Sequence, residues 1–218
     1  MGPTWLLLQL ADSAFPTGGF AHSSGLEAAF QLGEVSGAGA LTAHAREWLW
    51  QLGHGALPLV GAAHQTPERL AEWDARCEAF LVNAVANRAS RTQGRAWLDT
   101  CARIFPEELE ALRAAAAASH RHHAPLFGAV TGALGLPRED ALRLFLSLSL
   151  KGLLSAAVRM NVVGTLEAQR LHHALAPQLD ATLTACGGLP AEALAQTSPR
   201  LDLLASTHDR LYSRLFLS

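Results

Sequence analysis

Residues 137–163 read PREDALRLFLSLSLKGLLSAAVRMNVV. This stretch decides the fold class. Leu144 to Leu150 alternates apolar and polar residues in part, which hints at a strand. The apolar run then continues through Ala156 and Ala157, too far for a strand, and a helix over 137–163 is expected. Such a helix, apolar nearly all round, sits in the middle of a bundle. The stretch from Leu144 to Val163 also has the length of a membrane span. It carries Lys151 and Arg159, which a spanning helix would avoid, so it reads as a buried helix of a soluble protein.

Composition agrees. Of 218 residues, Ala and Leu supply 80 and Val and Ile only 9. Ala and Leu lose little side-chain freedom in a helix, whereas β-branched residues favour strands. A β-sandwich, a barrel and a Val/Ile-rich parallel sheet are excluded. An apolar content of 50% with 17% charged residues argues against disorder. The net charge of −2 leaves no basic footprint for nucleic acid. Cys77, Cys101 and Cys186 are widely spaced and odd in number, which suits a reducing cytosol and frames no zinc site. Met1 to Leu10 lacks the basic start of a signal peptide, and Gly2 lacks the myristoylation context.

Helix signals recur along the chain. A short helix is expected over Trp5–Leu10, followed by a Gly- and Pro-bearing loop from Asp12 to His22. Ser24 and Glu27 fit a capping box that opens a helix toward Gln31. Gly33 to Gly39 reads as a loop, and Ala40–Leu52 as a helix that Gly53 and Gly55 break or bend. Leu57–His64 is helical. Thr66-Pro67-Glu68 is a helix start, with Leu70, Trp73, Cys77, Phe80, Leu81 and Ala84 along one stripe. Ser90–Phe105 continues or restarts that helix, and Pro106-Glu107-Glu108 opens the next, to about Ala118. Ser119–Ala124 reads as a polar loop and Pro125–Leu134 as a helix. Thr165–Leu183 is a helix ended by Gly187-Gly188, with short helices near Pro190–Ala195 and Pro199–Leu211. The expected architecture is one all-α domain over 1–218, a bundle of roughly eight to ten helices.

No catalytic motif stands out. A Gly-x-Ser-x-Gly elbow is lacking, and Gly18-Gly19 follows no strand, as a phosphate loop would require. Glu107 and Glu108 belong to a helix's first turn, where the helix dipole explains them. His120, His122 and His123 cluster beside Arg121 and read as a solvated loop or a metal-binding one. His172 and His173 cannot share a helix face. Two segments still ask for a role. Asp12 to Glu27 is dense in Gly, Pro, Ser and aromatics, either a tight connection or something more. At the C-terminus, Leu201, Leu204, His208, Leu211 and Leu215 form a stripe flanked by Tyr212, Arg214 and Phe216. It either docks on its own domain or fills a partner's groove.

These segments resemble the urease accessory protein UreF family. LLLQLADSAFPTGGFAHSSGLEAA, at 6–29, is similar to the family's N-terminal signature. NAVANRASRTQGRAWL (83–98), HAPLFGAVTGALGL (123–136), SAAVRMNVVGTLEAQRLHH (155–173) and LDLLASTHDRLYSRLFLS (201–218) resemble later family blocks, in order. Pro16, Gly18, Gly19, Phe20, His22, Ser23, Gly25, Leu26 and Glu27 match the first motif. Arg159, Asn161, Gly164, Glu167 and Gln169 match the central one, and Tyr212, Arg214, Leu215, Phe216 and Ser218 the tail. Lys151 departs, where family members commonly carry Arg.

The resemblance implies a non-enzymatic, cytoplasmic, dimeric adaptor and chaperone without a cofactor or a metal site of its own. Its partners would be a UreD-type protein (UreH in some organisms), the UreG GTPase and apo-urease, into which nickel is inserted. No nucleic acid or membrane partner is implied. The segment 201–218 would be a partner-docking tail, and the expected partner-binding residues are Pro16, Gly18, Gly19, Phe20, His22, Ser23, Gly25, Glu27, Tyr212, Arg214, Leu215, Phe216 and Ser218, with Leu215 and Phe216 buried against the UreD-type protein. Arg159, Asn161, Glu167 and Gln169 are expected to hold a helix junction or to line a polar passage. The alternative function is metal binding, or a small metal-dependent enzyme, on the His120–His123 loop.

Overall fold

The computed structural model describes residues 2–16 and 18–218. Met1 and Thr17 lie outside the described residues, Thr17 within the segment singled out from Asp12 to Glu27. The described residues form twelve α-helices and five 3-10 turns, with no strand among them. In order, α1 is Pro3–Ala11, α2 Leu26–Gln31, α3 Ala38–Gly55, α4 Leu57–Gln65, α5 Leu70–Phe80 and α6 Ala84–Ile104. Then come α7 Pro106–Ala115, α8 His123–Ala133, α9 Arg138–Arg159, α10 Thr165–Ala174, α11 Ala176–Cys186 and α12 Pro199–Ser206. The expected all-α bundle is therefore observed. Two expected helices are each divided, for identifiable reasons. The stripe running from Leu70 to Ala84 stops at Phe80, because Asn83 caps a new helix by accepting from the amides of Val85 and Ala86. Thr165–Leu183 divides at Leu175, just before Pro177 in the first turn of α11.

Gly53 and Gly55 do not break α3. A Cβ on Gly53 would collide with Thr182 and Cys186 of α11, so the glycine serves a close helix crossing. The same device joins α4 to α8, where Gly128 and Gly132 lie directly on the backbone of Val60 and His64.

Two apolar clusters form the interior. The first gathers α4, α6 and α8, with an aromatic column running Phe15, Trp97, Phe127, Phe145 at centroid spacings of 5.7, 4.8 and 5.2 Å. The second joins α2, α3, α10 and the C-terminal segment, through Leu26, Leu41, Leu49 and Phe216. Helix α9 passes through both. Leu142, Phe145 and Leu146 belong to the first, and Leu150, Leu153 and Leu154 to the second. Its length and hydropathy would suffice for a membrane span, but these side chains are covered by neighbouring helices. A helix with apolar side chains on more than one side is what an axis between two cores requires.

Candidate functional site

The first motif and the C-terminal segment, nearly 200 residues apart, meet along one seam. The Gly-rich turn lets it form. Gly18 and Gly25 have φ of 76° and 83°, in the left-handed region. At Gly25 the added Cβ would also stand 3.0 Å from the Ala205 Cβ on α12. Two backbone hydrogen bonds cross the seam: the Ser23 amide donates to the Ser218 oxygen at 2.6 Å, and the Leu217 amide to the Ala21 oxygen at 2.9 Å. The Ser23 hydroxyl donates to the same Ser218 oxygen at 3.0 Å, and His22 Nδ1 lies 2.5 Å from Ser218 Oγ.

Glu27 organises the seam. The capping-box reading fails here. Ser24 sits outside the helix with φ of 55°, Gly25 is the N-cap, and it is the Ser23 hydroxyl that accepts the Glu27 amide, at 3.4 Å. The Glu27 carboxylate turns instead to the tail, accepting from the amides of Leu215 (2.6 Å) and Phe216 (3.2 Å) and lying 3.0 Å from His208 Nε2. Glu27 and His208 are both buried. An extended tail has buried amides with no helical partner, and the carboxylate supplies it. His208 is the residue that sequence reasoning missed. Its place in a leucine stripe was the available signal, since a polar residue at an apolar register position is buried and must be paired. The stripe itself is not one helix: α12 ends at Ser206, and residues 211–218 carry no helix.

Arg159, near the end of α9, completes the seam. Its guanidinium donates to the Phe20 carbonyl at 2.6 Å, 4.0 Å from the Phe20 ring centroid and 4.4 Å from that of Phe216. Phe216 is buried in the second core, and Ser218 is buried too. Of the residues expected at the partner interface, Phe216 is covered by its own domain. Outside the seam, Phe20 is 70% exposed, Tyr212 fully exposed, Leu215 52% and Leu217 63% exposed. Pro16 and Arg214 are exposed as well, the latter 3.4 Å from Asp209. Asn161, Glu167 and Gln169 are not part of the seam. All three face solvent, so they line no interior passage of this chain. Asn161, with φ of 59°, ends α9 in a left-handed turn.

Behind the seam lies a cavity of about 230 Å³, lined by His22, Trp48, Gln93, His123 and Asp202. A smaller one of about 110 Å³ shares His22, Trp48 and His123 with it. No Arg or Lys lines either. Burial and the nearby His22 lower the His123 pKa to about 4, and burial followed by His208 lowers that of His22.

The histidine loop is not a solvated one. Both Asp74 carboxylate oxygens accept loop amides, His120 at 2.5 Å and His122 at 2.7 Å. His122 is buried with Nε2 2.7 Å from Glu78 Oε2 and Nδ1 3.1 Å from Ser90 Oγ. His123 turns away to pack on Phe127 and Phe145.

Comparison with known proteins places these features in a family context. The family described as UreF matches residues 35–176. Urease accessory protein F of Arabidopsis thaliana is 39% identical over 98% of this chain and 92% of its own length. That of Oryza sativa subsp. indica is 38% identical, covering 97% and 84%. The urease accessory protein UreF of Trichodesmium erythraeum is 30% identical, covering 96% and 94%.

Proposed function

Because the chain belongs to the UreF family of urease accessory proteins, a role in urease maturation follows, and we propose that it fills this role as a non-catalytic adaptor. In this reading it is cytoplasmic, dimeric and a chaperone of nickel insertion. It bridges a UreD/UreH-type protein, a UreG-type GTPase and apo-urease. The observation that carries the proposal is the seam, which spends its polar groups internally and leaves Phe20, Tyr212, Leu215 and Leu217 exposed around it. Apolar side chains clustered on a well-anchored surface are what a protein partner covers. Residues 201–218 are then a docking tail that works in its folded-back position. The exposed knobs meet the UreD-type protein, and buried Phe216 and Glu27 hold them in place.

The test is co-purification. Deleting 211–218 would remove Phe216 from the second core and confuse binding with folding, so point changes at exposed positions are preferable. Covering a large apolar side chain contributes about 1.5–3 kcal/mol, so Tyr212→Ala with Leu215→Ala should weaken capture of the UreD-type partner by at least tenfold, with unchanged helical circular dichroism. Undiminished capture would refute the docking role of the tail.

A further inference from the structure

The loop Ser119–His122 brings two imidazoles to one carboxylate. Glu78 Oε2 lies 2.7 Å from His122 Nε2 and 3.9 Å from His120 Nδ1, and the two rings are 6.1 Å apart between centroids. We propose that Glu78, His120 and His122 form a binding site for a divalent transition-metal ion of the zinc or nickel class, with solvent completing its coordination. The inference is independent of the urease reading.

Imidazole nitrogen and carboxylate oxygen are the donors such ions take. Without the ion, no three His, Cys, Asp or Glu donors among the described residues converge on one point, and the distances show how far this trio is from doing so. Ligands about 2.0–2.1 Å from a tetrahedral ion stand roughly 3.3 Å from one another. Glu78 and His122 must therefore part by about 0.6 Å and His120 must approach Glu78 by about as much, with the rings closing by roughly 1 Å. The movement falls on the two groups able to make it. The His120 side chain is 45% exposed and that of Glu78 34%, whereas His122 is fully buried and held.

The surroundings are those of a supported site. Ser90 Oγ, 3.1 Å from His122 Nδ1, can either donate to that nitrogen or accept from it. When an ion takes Nε2, the ring proton moves from Nε2 to Nδ1 and Ser90 accepts it, so no proton need leave the protein. Asn87 donates to Glu78 Oε2 at 2.9 Å and orients the carboxylate. Asp74, anchoring both loop amides, adds negative charge behind the ion. Burial holds the His122 pKa below its ordinary value and hydrogen bonds lower that of Glu78, so both are in the ligating form at neutral pH.

The experiment is titration of tag-free, chelator-stripped full-length protein with nickel chloride and, separately, zinc chloride by calorimetry at pH 7.5. One ion per chain is expected for at least one metal. His120→Ala removes a half-exposed ring that makes no side-chain hydrogen bond in the fold, and should weaken binding at least tenfold. Glu78→Gln should do the same, and His173→Ala, at an exposed site elsewhere, should not. Cobalt(II) bound to the wild type should show visible absorption that His120→Ala abolishes. Absence of stoichiometric binding by both metals, or binding that His120→Ala leaves unchanged, overturns the proposal. Equal losses in His120→Ala and His173→Ala would mean adventitious surface binding and overturn it as well.

Discussion

Replacing Glu27 with Gln tests the central claim about the seam. The carboxylate accepts two tail amides, at 2.6 and 3.2 Å, and faces His208 Nε2 at 3.0 Å, the Phe216 and His208 bonds buried and the Leu215 bond partly so. Gln keeps the shape but offers one acceptor oxygen, and its amide nitrogen must point at a donor. At least one of the three donors then loses its partner in a buried place. A hydrogen bond to a charged group contributes about 1.5–3 kcal/mol, and a buried donor left unpaired costs a similar amount. The tail should therefore lose about 3 kcal/mol of docking, a little over two decades in its open-to-closed ratio at 1.4 kcal/mol per decade. Phe216 stays in the second core, so the tail loosens without the bundle unfolding. Hydrogen exchange followed by mass spectrometry reads this directly. Peptides containing the Leu215 and Phe216 amides should exchange roughly a hundredfold faster, while those from α8 and α9 stay unchanged. Trypsin should cut faster after Arg210 and Arg214. Unchanged exchange at Leu215 and Phe216 would refute the assignment of Glu27 as the tail's anchor.

Further outcomes follow from the same structure. His44 is buried with neither ring nitrogen bonded, and burial, aided by Arg200, lowers its pKa to about 4. The unfolded chain, with a pKa near 6.5, binds the proton first. The stability that depends on neutral His44 is therefore complete above pH 6.5 and lost as pH falls toward 4, by about 2 kcal/mol at pH 5. Urea denaturation at pH 7.5 and 5 should show a smaller acid loss for His44→Leu than for the wild type, and an equal loss would contradict this. Arg159→Lys keeps the charge but not the planar stacking between Phe20 and Phe216. It should speed exchange around Phe20 nearly as much as Arg159→Ala does, and full rescue by Lys would show that charge alone matters. Gly128→Ala drives a methyl into the Val60 backbone and should cost at least about 2 kcal/mol. Gly152→Ala, with open space around its Cβ, should gain up to about 1 kcal/mol in thermal denaturation. Similar effects at the two positions would argue against the close α4–α8 packing.

Sequence alone determined the class of structure and most of the helix starts. These depend on local physics: Ala and Leu abundance, prolines in first turns, and an apolar run too long for a strand. The quoted motifs also carried the family and named most of the seam residues, such as Gly25, Glu27 and Phe216. What those residues do was decided by tertiary structure. Ser24-x-x-Glu27 has the local pattern of a capping box, but the amides of Leu215 and Phe216 take the carboxylate, because the tail amides have no other partner while the Ser23 hydroxyl already accepts the Glu27 amide at the helix start. The histidine triplet reads as one polar loop, yet the fold divides it, with His120 and His122 toward Glu78 and His123 toward Phe145 and the cavity. No local pattern encodes that division, since it depends on where α5, α6 and α9 pass the loop. Spacing along the chain records only neighbours within a turn or two, whereas burial and pairing are set by contacts between segments far apart in sequence.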